Sequence, residues 1–239
     1  MARHAVLWGR DHPRLGTLVS RELDTRAAVA MSAGVRPKPY PSDDANEDVV
    51  LVARGATATL LAVADGSRGH EAAHAAGAAL LAAADAVRAE PDAVRDLLAR
   101  VDGCLDRLRR TAPAAARSSR TALTVAVAGA GRVVAATRGD TALVRVRDGD
   151  CRLLSGVAPG AAAPLPQPQV SDTRPGDWLV VASDGVFDHL DAAWPQTLAA
   201  ACGRGRPVDA AVRVVAAACA AGAGDNVSVG VLAVGGTTG

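Results

Sequence analysis

An α+β fold follows from three features of this 239-residue chain. Short runs rich in Val and Ala succeed one another across Gly-containing turns, the pattern of antiparallel hairpins. Helical segments come in pairs at separate places in the order. Strands and helices do not alternate one for one, as a parallel βαβ array requires. No change of composition divides residues 25–239, which are expected to form one domain, while residues 1–24 read as a polar N-terminal extension with one short strand.

Thr25–Ser32 reads as the first strand of the domain and leads into an acidic loop containing Pro37, Pro39 and Pro41. Asp48–Arg54 and Thr57–Ala64 are strands joined by a tight turn at Gly55. The Ala- and Leu-rich stretch from Gly69 to Arg88 has strong helix propensity. A second helix opens at Pro91 and runs to Arg110, with Val94, Leu97, Leu98, Val101, Leu105 and Leu108 on one face, so the two helices are expected to pair. Thr121–Ala128 and Arg132–Thr137 form a hairpin across Gly129-Ala130-Gly131, and Thr141–Arg147 and Cys151–Leu154 form the next across Asp148-Gly149. Residues 155–170 are rich in Pro and Ala and read as a surface loop. Strand Asp177–Ala182 then precedes helices at 192–202 and 207–221, and Asn226–Val234 is the last strand.

Apolar residues make up 49% of the chain but only five residues are aromatic, so the core is built from Ala, Val and Leu with close backbone approach. A formal net charge of +1 exerts no pull on nucleic acid or an anionic membrane, and no aromatic residues interleave with the arginines for base stacking. Cys104, Cys151, Cys202 and Cys219 are far apart, which excludes a zinc ribbon or a disulfide framework. No segment has the length and apolarity of a membrane span, and the N-terminus lacks a signal peptide. A cytoplasmic monomer without nucleic-acid or membrane partners is expected.

Four aspartates stand where an apolar run ends in a turn: Asp65, Asp140, Asp184 and Asp225, each beside Gly or Asn. Any one alone is ordinary turn chemistry, as Asp148-Gly149 is. Repetition argues for more. A carboxylate at the end of a buried strand is held rigidly, and several together repel unless a cation neutralises them. Oxygen-only ligation suits Mg²⁺ or Mn²⁺ better than zinc.

Asn46-Glu47-Asp48, Asp65-Gly66 with Gly69-His70, Gly139-Asp140-Thr141, Ser183-Asp184-Gly185 and Gly224-Asp225-Asn226 occur in the order seen in metal-dependent type-2C (PPM) protein phosphatases. The chain resembles that family, in a bacterial-like form, from Ala27 to Val234. The resemblance implies two antiparallel β-sheets in a sandwich flanked by helix pairs, a four-layer αββα arrangement. It implies a phosphomonoester hydrolase that removes phosphate from phosphoserine or phosphothreonine in proteins, with a Ser/Thr kinase as a partner. It also implies two Mn²⁺ or Mg²⁺ ions and a third, weaker one. Asp65 would bridge two ions, with the Gly66 carbonyl on the second and Asp184 and Asp225 completing the first. Glu47 and Asp48 would hold ions directly or through water, and Asp140 would serve the third. Asp65, Asp184 and Asp225 would thereby carry the catalysis. A metal-bridging hydroxide would attack phosphorus in line, consistent with the lack of a Cys or Ser nucleophile motif.

Departures fall on the substrate side. The family's phosphate-binding Arg just before Asn-Glu-Asp is replaced by Asp43, Asp44 and Ala45, which leaves Arg36 and Arg68 as candidates for phosphate binding. Arg68 stands where a Gly is expected after Asp-Gly-x, Arg120 interrupts a Ser-Gly-Thr element, and no Asp-His follows Ser155. Three competing readings exist: a catalytically silent, phosphatase-like binding module; the same hydrolase chemistry on a small phosphorylated metabolite; and a zinc metalloprotease through His70-Glu71-Ala72-Ala73-His74, which satisfies H-E-x-x-H but has Leu80 where a third ligand would fall.

Overall fold

Strands buried on both faces must be apolar on both, and that is why so many runs here are continuous rather than alternating. The computed structural model describes residues 3–38, 45–156, 167–203 and 205–235. Its strands are β1 (Arg3–Trp8), β2 (Leu18–Asp24), β3 (Ala27–Ser32), β4 (Val49–Arg54), β5 (Thr59–Ser67), β6 (Arg120–Gly129), β7 (Arg132–Arg138), β8 (Ala142–Arg147), β9 (Asp150–Gly156), β10 (Gln169–Asp172), β11 (Trp178–Ala182) and β12 (Val227–Ala233). The helices are α1 (Glu71–Ala83), α2 (Pro91–Thr111), α3 (Ala114–Arg117), α4 (Asp184–Leu190), α5 (Trp194–Ala201) and α6 (Pro207–Ala220). Two six-stranded sheets result, in the orders β1-β4-β5-β6-β7-β10 and β2-β3-β12-β11-β8-β9, with antiparallel pairing throughout.

Three apolar layers hold the sheets and helices together. Along β5, Leu60, Ala62 and Ala64 face α1 and α2, while Leu61 and Val63 face the other sheet. On the second sheet Val180 and Ala182 of β11 meet the helices α4–α6, and Leu179 and Val181 point back to the first. The helix–sheet–sheet–helix order is the expected four-layer sandwich. Val94, Leu97, Leu98, Val101 and Leu105 of α2 are buried, as their spacing requires.

Some elements differ from the sequence reading. The N-terminal segment, expected as an extension, supplies β1 beside β4 and β2 beside β3, so each sheet gains an outer strand. Strand β10 was not expected: it has four residues, borders a Pro-rich stretch, leaves Val170 half exposed and pairs only with β7. Helix α4, directly after Ser183, is too short to show a period. Of the expected 155–170 loop, Ser155 and Gly156 end β9, 169–170 open β10, and 157–166 lie outside the described residues.

Leu61 is fully buried between the sheets. Leu61→Ala is expected to cost about 2–5 kcal/mol of folding stability, read as a lower urea midpoint without a change of slope.

Candidate metal centre

Strand ends converge at one edge of the sandwich. Val49 pairs with Ala64, so Asp48, just before β4, lies beside Asp65, near the end of β5. Thr137 and Arg138 end β7 and hand over to Gly139-Asp140, while Ala142 opens β8. Val227 of β12 pairs with Ser32, placing Asp225 and Asn226 at the same edge. Ser183-Asp184 follows β11, whose Ala182 pairs with Val229.

Carboxylate oxygens of Asp65, Asp140 and Asp184 lie within 4.8 Å of one another. Asp48 is fully buried; its Oδ2 accepts a hydrogen bond from Ser228 Oγ at 2.7 Å, while Oδ1 has no hydrogen-bond partner among the described residues. Loss of solvent raises the Asp48 pKa to about 7; Ser228 and Lys38 oppose the rise, and Asp184 and Asp225 add to it. Asp65 is pushed well above the carboxylate range by desolvation and then by the fields of Asp48 and Asp184. Asp184 is raised to about 6 by desolvation, with Asp140 and Asp225 also raising it and a hydrogen bond from Asp65 lowering it. An all-oxygen donor set with an orphaned buried oxygen and mutually repelling acids fits a hard divalent cation.

The chain braces these acids with side chains to which the sequence reading assigned no role. Asn226 Oδ1 accepts from the Glu47 N–H at 2.9 Å and its Nδ2 donates to the Ala45 carbonyl at 2.7 Å, so β12 of one sheet fixes the entry to β4 of the other. Ser119 Oγ donates to the Gly69 carbonyl at 2.7 Å and accepts from the Ala72 N–H at 3.0 Å, tying the Asp65 loop to the start of α1. Buried hydroxyls of Thr124, Thr137, Thr141 and Ser155 form a chain of 2.8 Å contacts behind Asp140. Asp188, one helical turn beyond Asp184, is raised by desolvation and by Asp140 and Asp225, against the effect of His189. An i, i+4 pair of acids was its only signal, and the short α4 hid it.

Gly66 sits where any Cβ would lie 2.4 Å from the Glu47 carbonyl oxygen, and a Cβ on Gly185 would lie 2.1 Å from that of Asn226. Both glycines therefore allow one metal-loop backbone to lie against another. Glu47 is fully buried, its Oε1 accepting from the Gly69 N–H at 2.5 Å and its Oε2 ion-paired with Lys38. Lys38 also stands 3.5 Å from Asp225 Oδ1. Burial lowers the ammonium's pKa, but the bond to Glu47 and the fields of Asp225, Glu47 and Asp48 outweigh it and leave the pKa raised.

The two expected phosphate contacts separate. The Arg36 guanidinium donates from Nε to the Gly222 carbonyl at 2.9 Å and bonds the same oxygen through Nη2, so it braces the loop ahead of Asp225 rather than reaching for a ligand. Arg68 is exposed and takes φ of 60°, the left-handed conformation that suits glycine. The backbone shape expected at that position is kept although the residue has changed. Arg120 bonds the carbonyls of Arg117, Ser118 and Ser119, closing its own turn. Asp43 and Asp44 lie outside the described residues.

The zinc-protease pattern does not assemble. The rings of His70 and His74 meet edge-on at 4.7 Å and His74 packs at 4.9 Å against Trp8, while Leu80, at the position where the extended pattern needs a third ligand, is fully buried in the helix–sheet core. Among the described residues only Asp65, Asp140 and Asp184 bring three candidate ligand atoms together.

No family's sequence profile matches the chain. No curated protein matches it either. Solved structures do. The serine/threonine phosphatase PstP/Ppp of Mycobacterium tuberculosis aligns with a TM-score of 0.72 at 22% identity, covering 88% of this chain and 99% of that one. The catalytic domain of PstP in complex with two manganese ions aligns at 0.71 and 22% identity, covering 92% and 100%. The PPM Ser-Thr phosphatase MsPP of Mycobacterium smegmatis, in complex with cacodylate, aligns at 0.64 and 28% identity, covering 87% and 98%. The chain has the fold of the bacterial PPM-type phosphatases over most of its length.

Raised carboxylate pKa values fix the sign of a pH effect. Above the ordinary carboxylate value the folded chain holds protons that the unfolded chain has lost: on Asp48 up to about 7, on Asp184 up to about 6, and on Asp65, whose pKa is also raised. Stability of chelator-treated protein should therefore fall as pH rises through 4 to 7, and added Mn²⁺ should raise the melting temperature more at pH 7.5 than at pH 5. Differential scanning calorimetry at the two pH values, with Mn²⁺ or chelator, checks both.

Proposed function

We propose that this chain is a Mn²⁺- or Mg²⁺-dependent phosphatase that removes phosphate from phosphoserine or phosphothreonine in proteins. The observation that carries the reading is the convergence of Asp48, Asp65, Asp140, Asp184 and Asp225 from both sheets, with Asp48 Oδ1 left without a partner among the described residues. Asp65, Asp140 and Asp184 would hold ions directly, and Asp48, Asp225, Glu47 and the Gly66 carbonyl would complete the ligand set. Divalent ions held there activate water and offset the charge on the phosphoryl oxygens.

The protein's own groups do the rest. Asp65, Asp184 and Asp225 are fixed by strand ends and by the Asn226 bridge, so ligand geometry is set before substrate arrives. Water adds to phosphorus, the bond from phosphorus to the seryl or threonyl oxygen breaks, and that oxygen leaves with a proton. Arg68, exposed just after Asp65-Gly66-Ser67, is the cation we assign to the phosphate, because Arg36 is occupied at Gly222. The open edge, with Ser67 and Arg68 exposed, suits a protein side chain better than an engulfed metabolite. A Ser/Thr kinase that supplies the phosphoprotein and a cytoplasmic monomer belong to this reading, in keeping with cysteines left as free thiols. No described helix is long and apolar enough to cross a membrane.

Turnover of p-nitrophenyl phosphate and of a phosphothreonine peptide should require Mn²⁺ or Mg²⁺ and vanish in Asp184→Asn, with the circular dichroism spectrum unchanged. Activity that survives chelation or that substitution would sink the metal-site assignment, and a folded protein inactive with every ion would favour the silent binding module. Arg68→Ala should lower kcat/KM for the aryl phosphate by about tenfold, the loss of one charge-assisted hydrogen bond; an unchanged value removes Arg68 from the phosphate site.

A further inference from the structure

Arginine supplies all but one of the chain's 26 Lys and Arg residues, and the exception, Lys38, sits in the acid cluster. Its side chain is only 5% exposed, that of Glu47 is 0%, and its Nζ is ion-paired with Glu47 Oε2 and lies 3.5 Å from Asp225 Oδ1. Glu47 Oε1 is taken by the Gly69 N–H. Both oxygens of Glu47 are thus engaged, and one of the two partners is an ammonium that also faces Asp225. Any divalent ion approaching these two carboxylates meets a positive charge belonging to the chain itself.

The backbone just ahead of Lys38 is anchored, and only its ion pairs hold the ammonium among the acids. Val35 and Arg36 both donate their N–H groups to the Ala223 carbonyl, and the Arg36 guanidinium grips Gly222, so this segment is fastened to the loop that carries Asp225. Beyond that anchor a four-carbon stem ends in a compact, strongly hydrated charge that rotates freely once released. A guanidinium is planar and holds carboxylates through a rigid fork. In a chain that uses Arg nearly everywhere, Lys at this position supplies a cation able to leave.

We infer that Lys38 is a tethered competitor of the divalent ion on the Glu47–Asp225 side of the centre, neutralising those two carboxylates until an ion displaces it. The inference rests on the phosphatase reading only for the presence of a metal centre. Its consequence is two unequal classes of site. Among the described residues no cation is ion-paired with Asp65, Asp140 or Asp184, so that side takes an ion without releasing one, whereas the Glu47–Asp225 side must break a buried ion pair first. The second ion is accordingly weaker, and Lys38 sets how much metal the protein needs for full occupancy.

A chain with a single lysine allows a direct test in the unaltered protein. An amine-acetylating reagent can modify only Lys38 and the α-amine, and peptide mass spectrometry separates the two, the α-amine serving as reference. Acetylation of Lys38 should be slow in chelator and accelerate by roughly tenfold on saturation with Mn²⁺, a coupling of ordinary size. In calorimetric titrations with Mn²⁺, Lys38→Met should bind the weaker ion roughly tenfold more tightly, whereas Lys38→Arg, which keeps the charge, should not. If Mn²⁺ binds the wild type and Lys38 acetylation stays at its chelator rate, Lys38 does not leave the carboxylates and the inference is wrong, with the phosphatase reading intact. If wild type and Lys38→Met both fail to bind Mn²⁺, the metal centre itself is absent and both readings fall. The acetylation measurement decides the matter even if Lys38→Met does not fold.

Discussion

Carboxylates crowded into a poorly solvated space cannot all be ionised unless a cation shares that space, and this constraint organises one whole end of the molecule. Asp48, Asp65 and Asp184 each have a pKa raised first by desolvation and then by the fields of neighbouring acids, Asp225 among them in every case. A fold that gathers them without neutralisation loses stability; with a divalent ion it gains a rigid, preorganised centre. Lys38 meets part of that demand from within the chain, on Glu47 and Asp225. It leaves the Asp65–Asp140–Asp184 side to be neutralised from outside.

Holding such a group in place needs a scaffold that does not yield, and the sandwich supplies it. Leu61, Val63, Leu179 and Val181 pack between sheets that are themselves covered by helices. With so few large rings the core is filled by Val, Ala and Leu, whose short side chains bring backbones close together. At the metal edge this closeness becomes functional: Gly66 lies against Glu47 and Gly185 against Asn226, with no room for a Cβ on either. Asn226 links the two sheets there by bonding the backbone on both sides of Asn46. Ser228 and Ser183, a cross-strand pair on neighbouring segments, hold Asp48 and the turn before α4.

The three arginines that the sequence reading singled out are engaged differently. Arg68 takes the left-handed backbone that suits glycine at a cost of order 1 kcal/mol, and is exposed. Arg36, which the resemblance offers as a phosphate ligand, has become a brace for the Gly222 loop. Arg120 is spent on its own turn. The chain of hydroxyls from Thr141 through Thr124 and Thr137 to Ser155 joins the Asp140 turn to the end of β9.

The amino-acid sequence by itself determined the α+β class, most strands, the α1–α2 pair and the identity of the acids. Apolar runs, turn residues and helical spacing are local signals, and a carboxylate at a strand end is visible in the letters. It allowed one short strand where β1 and β2 stand and left out β10; these lie at sheet edges, are short or half exposed, and gain their shape from a neighbouring strand's open hydrogen-bonding edge. It also left out α4, whose seven residues are too few for a period, and with it Asp188. Only the tertiary structure decided that Asp65, Asp140 and Asp184 meet within 4.8 Å, that Asn226 joins the two sheets, and that Lys38 rather than Arg36 enters the acid cluster. Those outcomes depend on residues brought together from distant parts of the chain, where field and burial are properties of the assembled fold.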